Sequence, residues 1–205
     1  MTIPAIGAPL SRTDGPDKVR GSARYTADYT FENMAYAVVV PSTIANGTIS
    51  AIDDTRARAT PGVVAIMTHH NAPRVNTGKT NPFDSILFLL QDDAVQFDRQ
   101  PVALVIAESF EAATSAAQSL DVTYMLQAPH TALAGAAQVA VSDIFGEPAA
   151  FRRGDPEHAF AQAHARIDVT YRTPTEHHNP IETHATIAHW EGARLTLHDA
   201  TQWLY

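Results

Sequence analysis

From residue 34 onward the chain breaks into short apolar runs set off by polar, Gly- or Pro-bearing stretches. AYAVVV (35–40) is apolar throughout and ends at Pro41, the pattern of a buried strand. TISAIDD (48–54) alternates apolar and polar positions after Gly47, which predicts a half-buried strand. Asp53 or Asp54 then caps a short helix, TRARAT (55–60), that has to stop before Pro61-Gly62. VVAIMT (63–68) returns as a strand, SILFLL (85–90) reads as another, and VALVIAES (102–109) is the strongest buried strand of all. Ser109 caps the next helix, FEAATSAAQSL (110–120), in which Phe110, Ala113, Ala117 and Leu120 recur at helical spacing and are predicted to face a sheet. DVTYM (121–125) is the following strand.

The flanks read differently. Residues 1–24 are rich in Gly, Pro and charge and predict an N-terminal arm, with turns at Asp14-Gly15-Pro16 and near Gly21. Residues 69–84 predict a long polar surface loop, and residues 127–150 a weakly periodic linker. Asp155 as cap and Pro156 at the first helical position then open a helix. Strand-like segments follow at 166–174, 181–190 and 193–202, the last two joined by a turn at Glu191-Gly192. Strands interleaved with two helices predict an α+β or α/β domain over 25–126, and the start of a second domain follows over 151–205, for an α+β chain as a whole.

Composition narrows the function classes. Of 205 residues, 45 % are hydrophobic and 18 % charged, enough apolar material for a core. The net charge of −8 and the lack of a Lys/Arg cluster exclude nucleic acid as a partner. With no cysteine there is no disulfide, thiolate metal site or cysteine nucleophile, and any iron–sulfur cluster must sit on another chain. The N-terminus lacks the layout of a signal peptide, and the longest apolar runs are far too short to span a bilayer. The expected location is cytoplasmic, or periplasmic by export with a partner.

Candidate chemistry is sparse. His177, His178, His184 and His189 fall within thirteen positions, together with Glu176 and Glu182. Imidazole and carboxylate both bind Zn or Fe, but no spacing here gives three convergent ligands. In a strand Glu182 and His184 share a face and His189 points the other way. His69 and His70 are adjacent and do not converge in an extended chain. There is no G-x-S-x-G elbow, P-loop or G-x-G-x-x-G.

Several longer stretches carry a resemblance. Gly7–Asp28 reads G-x-P-L-S-R-x-D-G-P-D-K-V-x-G-x-A-R-Y-T-A-D. STIANGTISAID (42–53), ATPGVVAIMT (59–68) and QPVALVIAESFEAA (100–113) follow in order, then RGDPEHAF (153–160) and the run from Thr170 to the D-A-T-Q of Asp199–Gln202. Together they resemble the molybdenum-binding subunit of the xanthine dehydrogenase/aldehyde oxidase family, from its N-terminal part. The resemblance implies an α/β hammerhead domain followed by the incomplete start of a molybdopterin-binding domain. It implies hydroxylation of an aldehyde or N-heterocycle, with molybdopterin in its cytosine dinucleotide form as cofactor. Iron–sulfur clusters, and FAD in a flavin-bearing assembly, would lie on partner subunits, and a cytochrome subunit is the alternative to the flavin one. Gln202 matches a glutamine that donates a hydrogen bond to an oxygen ligand of the molybdenum. Glu182 and His184 match the segment that packs beneath that site, as supporting or folding residues. No residue of the chain matches a direct metal ligand. The family's G-G-G-F-G segment and catalytic glutamate are not found in these 205 residues, so a second stretch of polypeptide must supply the catalytic half. The other reading is a non-catalytic binding or assembly module derived from the same fold.

Overall fold

The apolar runs become antiparallel strands in small sheets. The structure is a computed structural model that describes residues 7–75, 89–129, 131–132, 135, 142–144 and 147–201. It divides into two compact units, one of Asn33–Val169 and one that joins Met1–Glu32 with Thr170–Tyr205.

In the larger unit, β1 (Tyr36–Pro41), β2 (Gly47–Asp53), α2 (Thr55–Arg58) and β3 (Val63–Thr68) come first in chain order. They are followed by β4 (Ala94–Val95), β5 (Pro101–Ala107), α3 (Phe110–Ser119) and β6 (Asp121–Leu126). One sheet has the order β1-β5-β3 and the other β4-β2-β6. β5 is the central strand of its sheet, as its unbroken apolar run predicts. Val105, Ala103 and Ala107 on β5 are fully or almost fully buried, and the first two join Val40, Ile66 and Ala116 in the core. Burial of one such valine contributes about 1.5–3 kcal/mol.

The predicted caps form at Ser109 and Asp155, whereas at α2 the N-cap residue Asp54 makes no side-chain cap hydrogen bond. Asp53 Oδ1 accepts the Thr55 N–H at 2.9 Å, while Asp54 pairs with Arg58 at 2.6 Å. The Thr55 hydroxyl first, and then its N–H, hold the Asp53 carboxyl below its ordinary range. Ser109 Oγ accepts the Ala112 N–H at 3.1 Å and starts α3. The helix buries Ala113 and Ala116, whereas Phe110 is 57 % exposed. The prediction that Phe110 faces the sheet is therefore corrected. A helix that lies close on a sheet needs its small residues inward, and the bulky residue at its first position turns to solvent.

Of the predicted strand 85–90, residues 85–88 lie outside the described residues, and Leu89–Leu90 form a turn with Leu90 at φ 58°. The linker carries two short paired strands, β7 (Asp143–Ile144) and β8 (Glu147–Pro148). α4 (Pro156–Gln162) starts as expected, with Asp155 Oδ1 accepting the His158 N–H at 3.1 Å.

In the smaller unit the N-terminal segment is not all loop. Gly15–Arg20 forms α1, and Gly21 closes it in the left-handed region at φ 71°. Asp14 sits 2.8 Å from both Arg12 and Lys18, which hold its carboxyl well below the usual range, and Ser22 Oγ donates to Asp17. The polar residues of S-R-x-D-G-P-D-K-V thus build their own short capped helix. Residues 166–174, predicted as a strand, are exposed and in no strand, because no neighbour among the described residues offers their backbone a ladder. β9 (Thr186–Glu191) and β10 (Arg194–Asp199) pair as the predicted hairpin.

Candidate cofactor-binding segment

The hairpin's register places Ile187, His189, Thr196 and His198 on one face. All four are half-buried. Residues 24–31 of the same unit cover them. The Phe31 ring lies 4.6 Å from His189 and 5.5 Å from His198, and Tyr29 stacks on His198 at 5.3 Å. The Arg24 guanidinium lies 4.6 Å over the Tyr29 ring. Ahead of this aromatic strip is a single 3₁₀ turn, Thr26–Asp28. Asp28 Oδ2 accepts the Tyr25 N–H at 2.8 Å, and Arg24 donates to the Asp28 carbonyl at 2.6 Å. Glu182 Oε1 accepts the Thr26 N–H at 3.0 Å, which ties the buried Thr26 to the segment that leads into β9.

These contacts sort the predicted residues. Glu182 is occupied in holding the turn at Thr26. His184 is exposed. The strand begins only at Thr186, so the expectation that Glu182 and His184 share a strand face is corrected: both precede the ladder. His177 and His178 are exposed ahead of Pro180, in no regular element. Gln202 lies outside the described residues. The end of β10 is tied to the start of β9: Thr186 Oγ1 hydrogen-bonds Asp199, and the Ala200 N–H donates to the Ala185 carbonyl at 3.4 Å. His198 and the strip at Tyr29 and Phe31 were not singled out from sequence. The signal was the period-two placement of the two histidines in their strands.

Two features of the larger unit stand apart from this segment. His69 and His70 have ring centroids 3.9 Å apart; His69 Nδ1 is buried without a partner, and burial pushes its pKa down. A cleft of about 320 Å³ is lined by Asn46, Gln96, Phe97 and Asp98 among others, and Asp98 is the one titratable group among the described residues that line it.

Among the described residues no group of three His, Asp or Glu side chains is placed to hold a metal ion.

Residues 20–127 match the family model described as the aldehyde oxidase and xanthine dehydrogenase a/b hammerhead domain. The chain belongs to this family. Residues 138–205 match the molybdopterin cofactor-binding domain. Among curated relatives of the hammerhead chain is the aldehyde oxidoreductase molybdenum-binding subunit PaoC of Escherichia coli (strain K12), 36 % identical over 98 % of this chain and 27 % of that protein. The putative xanthine dehydrogenase molybdenum-binding subunit XdhA of the same organism is 30 % identical over 93 % of this chain and 27 % of its own length. The nicotinate dehydrogenase large molybdopterin subunit of Eubacterium barkeri is 29 % identical over 96 % of this chain and 47 % of its length. The hammerhead chain thus spans about a quarter of the first two relatives and corresponds to part of a molybdenum-binding subunit. Among solved structures, the aldehyde oxidoreductase of Desulfovibrio gigas matches with TM-score 0.52 and 27 % identity over 75 % of this chain and 19 % of that one. The aldehyde oxidoreductase of Desulfovibrio desulfuricans ATCC 27774, at 23 % identity, supports the fold with TM-score 0.55 over 80 % of this chain and 20 % of that one.

Proposed function

We propose that this chain supplies the hammerhead and the beginning of the cofactor domain in a molybdopterin-dependent hydroxylase acting on aldehydes or N-heterocycles. The observation that carries the reading is the tandem match: hammerhead at 20–127, then molybdopterin-binding at 138–205, over nearly all of the chain. We divide the chain into an arm (1–24), a hammerhead (25–126), a linker (127–150) and a cofactor-domain start (151–205); the two ranges support the hammerhead and the cofactor-domain start. The names of the relatives, each a subunit, support an assembly. Its further members are the remaining molybdenum-binding polypeptide, an iron–sulfur subunit and a flavin or cytochrome subunit. No helix among the described residues is long and apolar enough to cross a membrane, in keeping with a cytoplasmic assembly or one exported with a partner.

When bound, molybdopterin in its cytosine dinucleotide form supplies the two-electron oxidation chemistry. The chain's contribution is orientation. Gln202, three residues past the end of β10, would donate its amide N–H to an oxygen ligand of the molybdenum. A neutral amide orients such a group without adding a titrating site or a competing ligand. Glu182 serves this arrangement as a folding residue through Thr26. For His184, exposed just ahead of β9, we keep the supporting role beside the cofactor. The catalytic glutamate is assigned to the remaining polypeptide.

Native mass spectrometry with metal analysis of the assembly tests the reading. The expected result is molybdenum and a pterin in a complex that contains this chain and a polypeptide with G-G-G-F-G. Gln202→Ala in that complex is expected to lower turnover about 10- to 100-fold with the pterin still bound. Turnover by the isolated 205-residue chain, or unchanged turnover in Gln202→Ala, defeats it.

A further inference from the structure

The β1-β5-β3 sheet carries mostly apolar side chains on both faces. One face, with Val38, Val40, Ala103, Val105 and Ile66, is closed over by α3 and the core. The register sets out the other face as two rows across the three strands, Ala37–Ile106–Ala65 and Val39–Leu104–Met67. None of these six side chains is polar. Val39, on the edge strand, is 50 % exposed; Ala37 is exposed and the other four are partly so. Val64, in the irregular pairing of β3, adds a further apolar side chain at 63 % exposure. An antiparallel sheet with one face in water alternates apolar and polar positions. The runs AYAVVV, VVAIMT and VALVIA do not alternate, as strands covered on both sides do not.

We propose that this outer face is the docking surface for the rest of the molybdenum-binding polypeptide, the roughly three quarters of the relatives' length that this chain does not match. The proposal rests on the function proposed above. Chemistry selects this occupant over an electron-transfer subunit. Non-obligate interfaces are about as polar as ordinary protein surface, whereas obligate ones resemble a domain core cut in half. Six apolar side chains of six belong to the second kind. The relatives' length supplies the polypeptide, since about three quarters of it lies beyond the part that this chain matches.

The test places the photo-crosslinker p-benzoylphenylalanine at position 39 in the full assembly and maps the products by mass spectrometry. The expected product joins position 39 to the molybdenum-binding polypeptide outside the 205 residues matched here. Crosslinks to residues within these 205, to a second copy of the chain, to the iron–sulfur or flavin subunit, or to nothing, overturn the proposal. As a second arm, Val39→Asp is expected to cut recovery of the molybdenum-containing complex at least tenfold. The 205-residue chain alone should keep its unfolding midpoint, because this side chain is at a half-exposed edge. Full recovery of the complex with Val39→Asp also overturns it. A molybdenum-containing assembly with no crosslink from position 39 sinks this face and leaves the proposed function standing. The lack of any such assembly sinks the function itself.

Discussion

At Gly47 the first residue of β2 lies so close to β6 that a Cβ would fall 2.2 Å from the Met125 carbonyl oxygen and 2.9 Å from the Ile44 side chain. Its φ of 151° adds to the demand for glycine. Gly47→Ala is expected to push β2 off β6 and cost about 2–4 kcal/mol, read as a lower midpoint in urea. His69 is a second residue whose surroundings set its behaviour. Its pKa is lowered first by burial, then by the neighbouring His70 and by Arg74, against Asp93 and Asp92, which raise it. A base whose pKa is depressed by folding takes its proton more readily when unfolded. Stability is therefore complete above the ordinary histidine value near 6.5 and falls as pH drops from there toward the lower folded value. Thermal unfolding measured from pH 8 to pH 5 is expected to show that loss, and His69→Gln is expected to shrink it. An identical pH profile in His69→Gln would assign the loss to other groups.

At the scale of elements, local capping and long-range clamping act separately. Ser109 starts α3 through its own hydroxyl, so Ser109→Ala is expected to cost about 1 kcal/mol of unfolding free energy. The β9–β10 hairpin cannot rely on local chemistry alone, since two strands with no further cover are marginal in water. The aromatic strip at Tyr29 and Phe31, and the bond from the Thr26 N–H to Glu182, supply that cover on one face. Glu182→Ala removes the acceptor and is expected to cost about 1–3 kcal/mol, because a buried N–H is left unmade. Glu182→Gln keeps an acceptor oxygen and should recover most of that loss. Equal loss in both variants would show that charge rather than the hydrogen bond matters.

At the scale of the whole molecule, exposed apolar surface is the dominant feature. On the hairpin's other face Trp190 is 62 % and Leu197 58 % exposed, and Phe151, Tyr171 and Ile181 are each more than four-fifths exposed. Monomeric proteins seldom leave so much apolar surface uncovered. The isolated chain is expected to bind an apolar dye such as ANS at neutral pH with its strand and helix signal in far-UV circular dichroism intact. Association with the rest of the molybdenum-binding polypeptide should quench that binding. Dye binding unchanged by the partner would show that the surface is not an interface.

The amino-acid pattern alone determined most of the hammerhead. Unbroken apolar runs marked β1, β3 and β5; Ser109 and Asp155 marked helix starts; and the ordered motifs pointed to the family and to molybdopterin, because backbone periodicity, capping and motif spacing are local along the chain. Tertiary structure decided what depends on partners distant in sequence. Residues 166–174 alternate like a strand but have no ladder to join, and Phe110 matches the helical period but yields its place to Ala116 as the helix lies close on the sheet. Glu182 and Thr26, 156 positions apart, meet only because the N-terminal segment folds over the hairpin. No local rule places such a pair, since the free energy that joins them comes from burying Tyr29 and Phe31 against strands that the chain makes only at its far end.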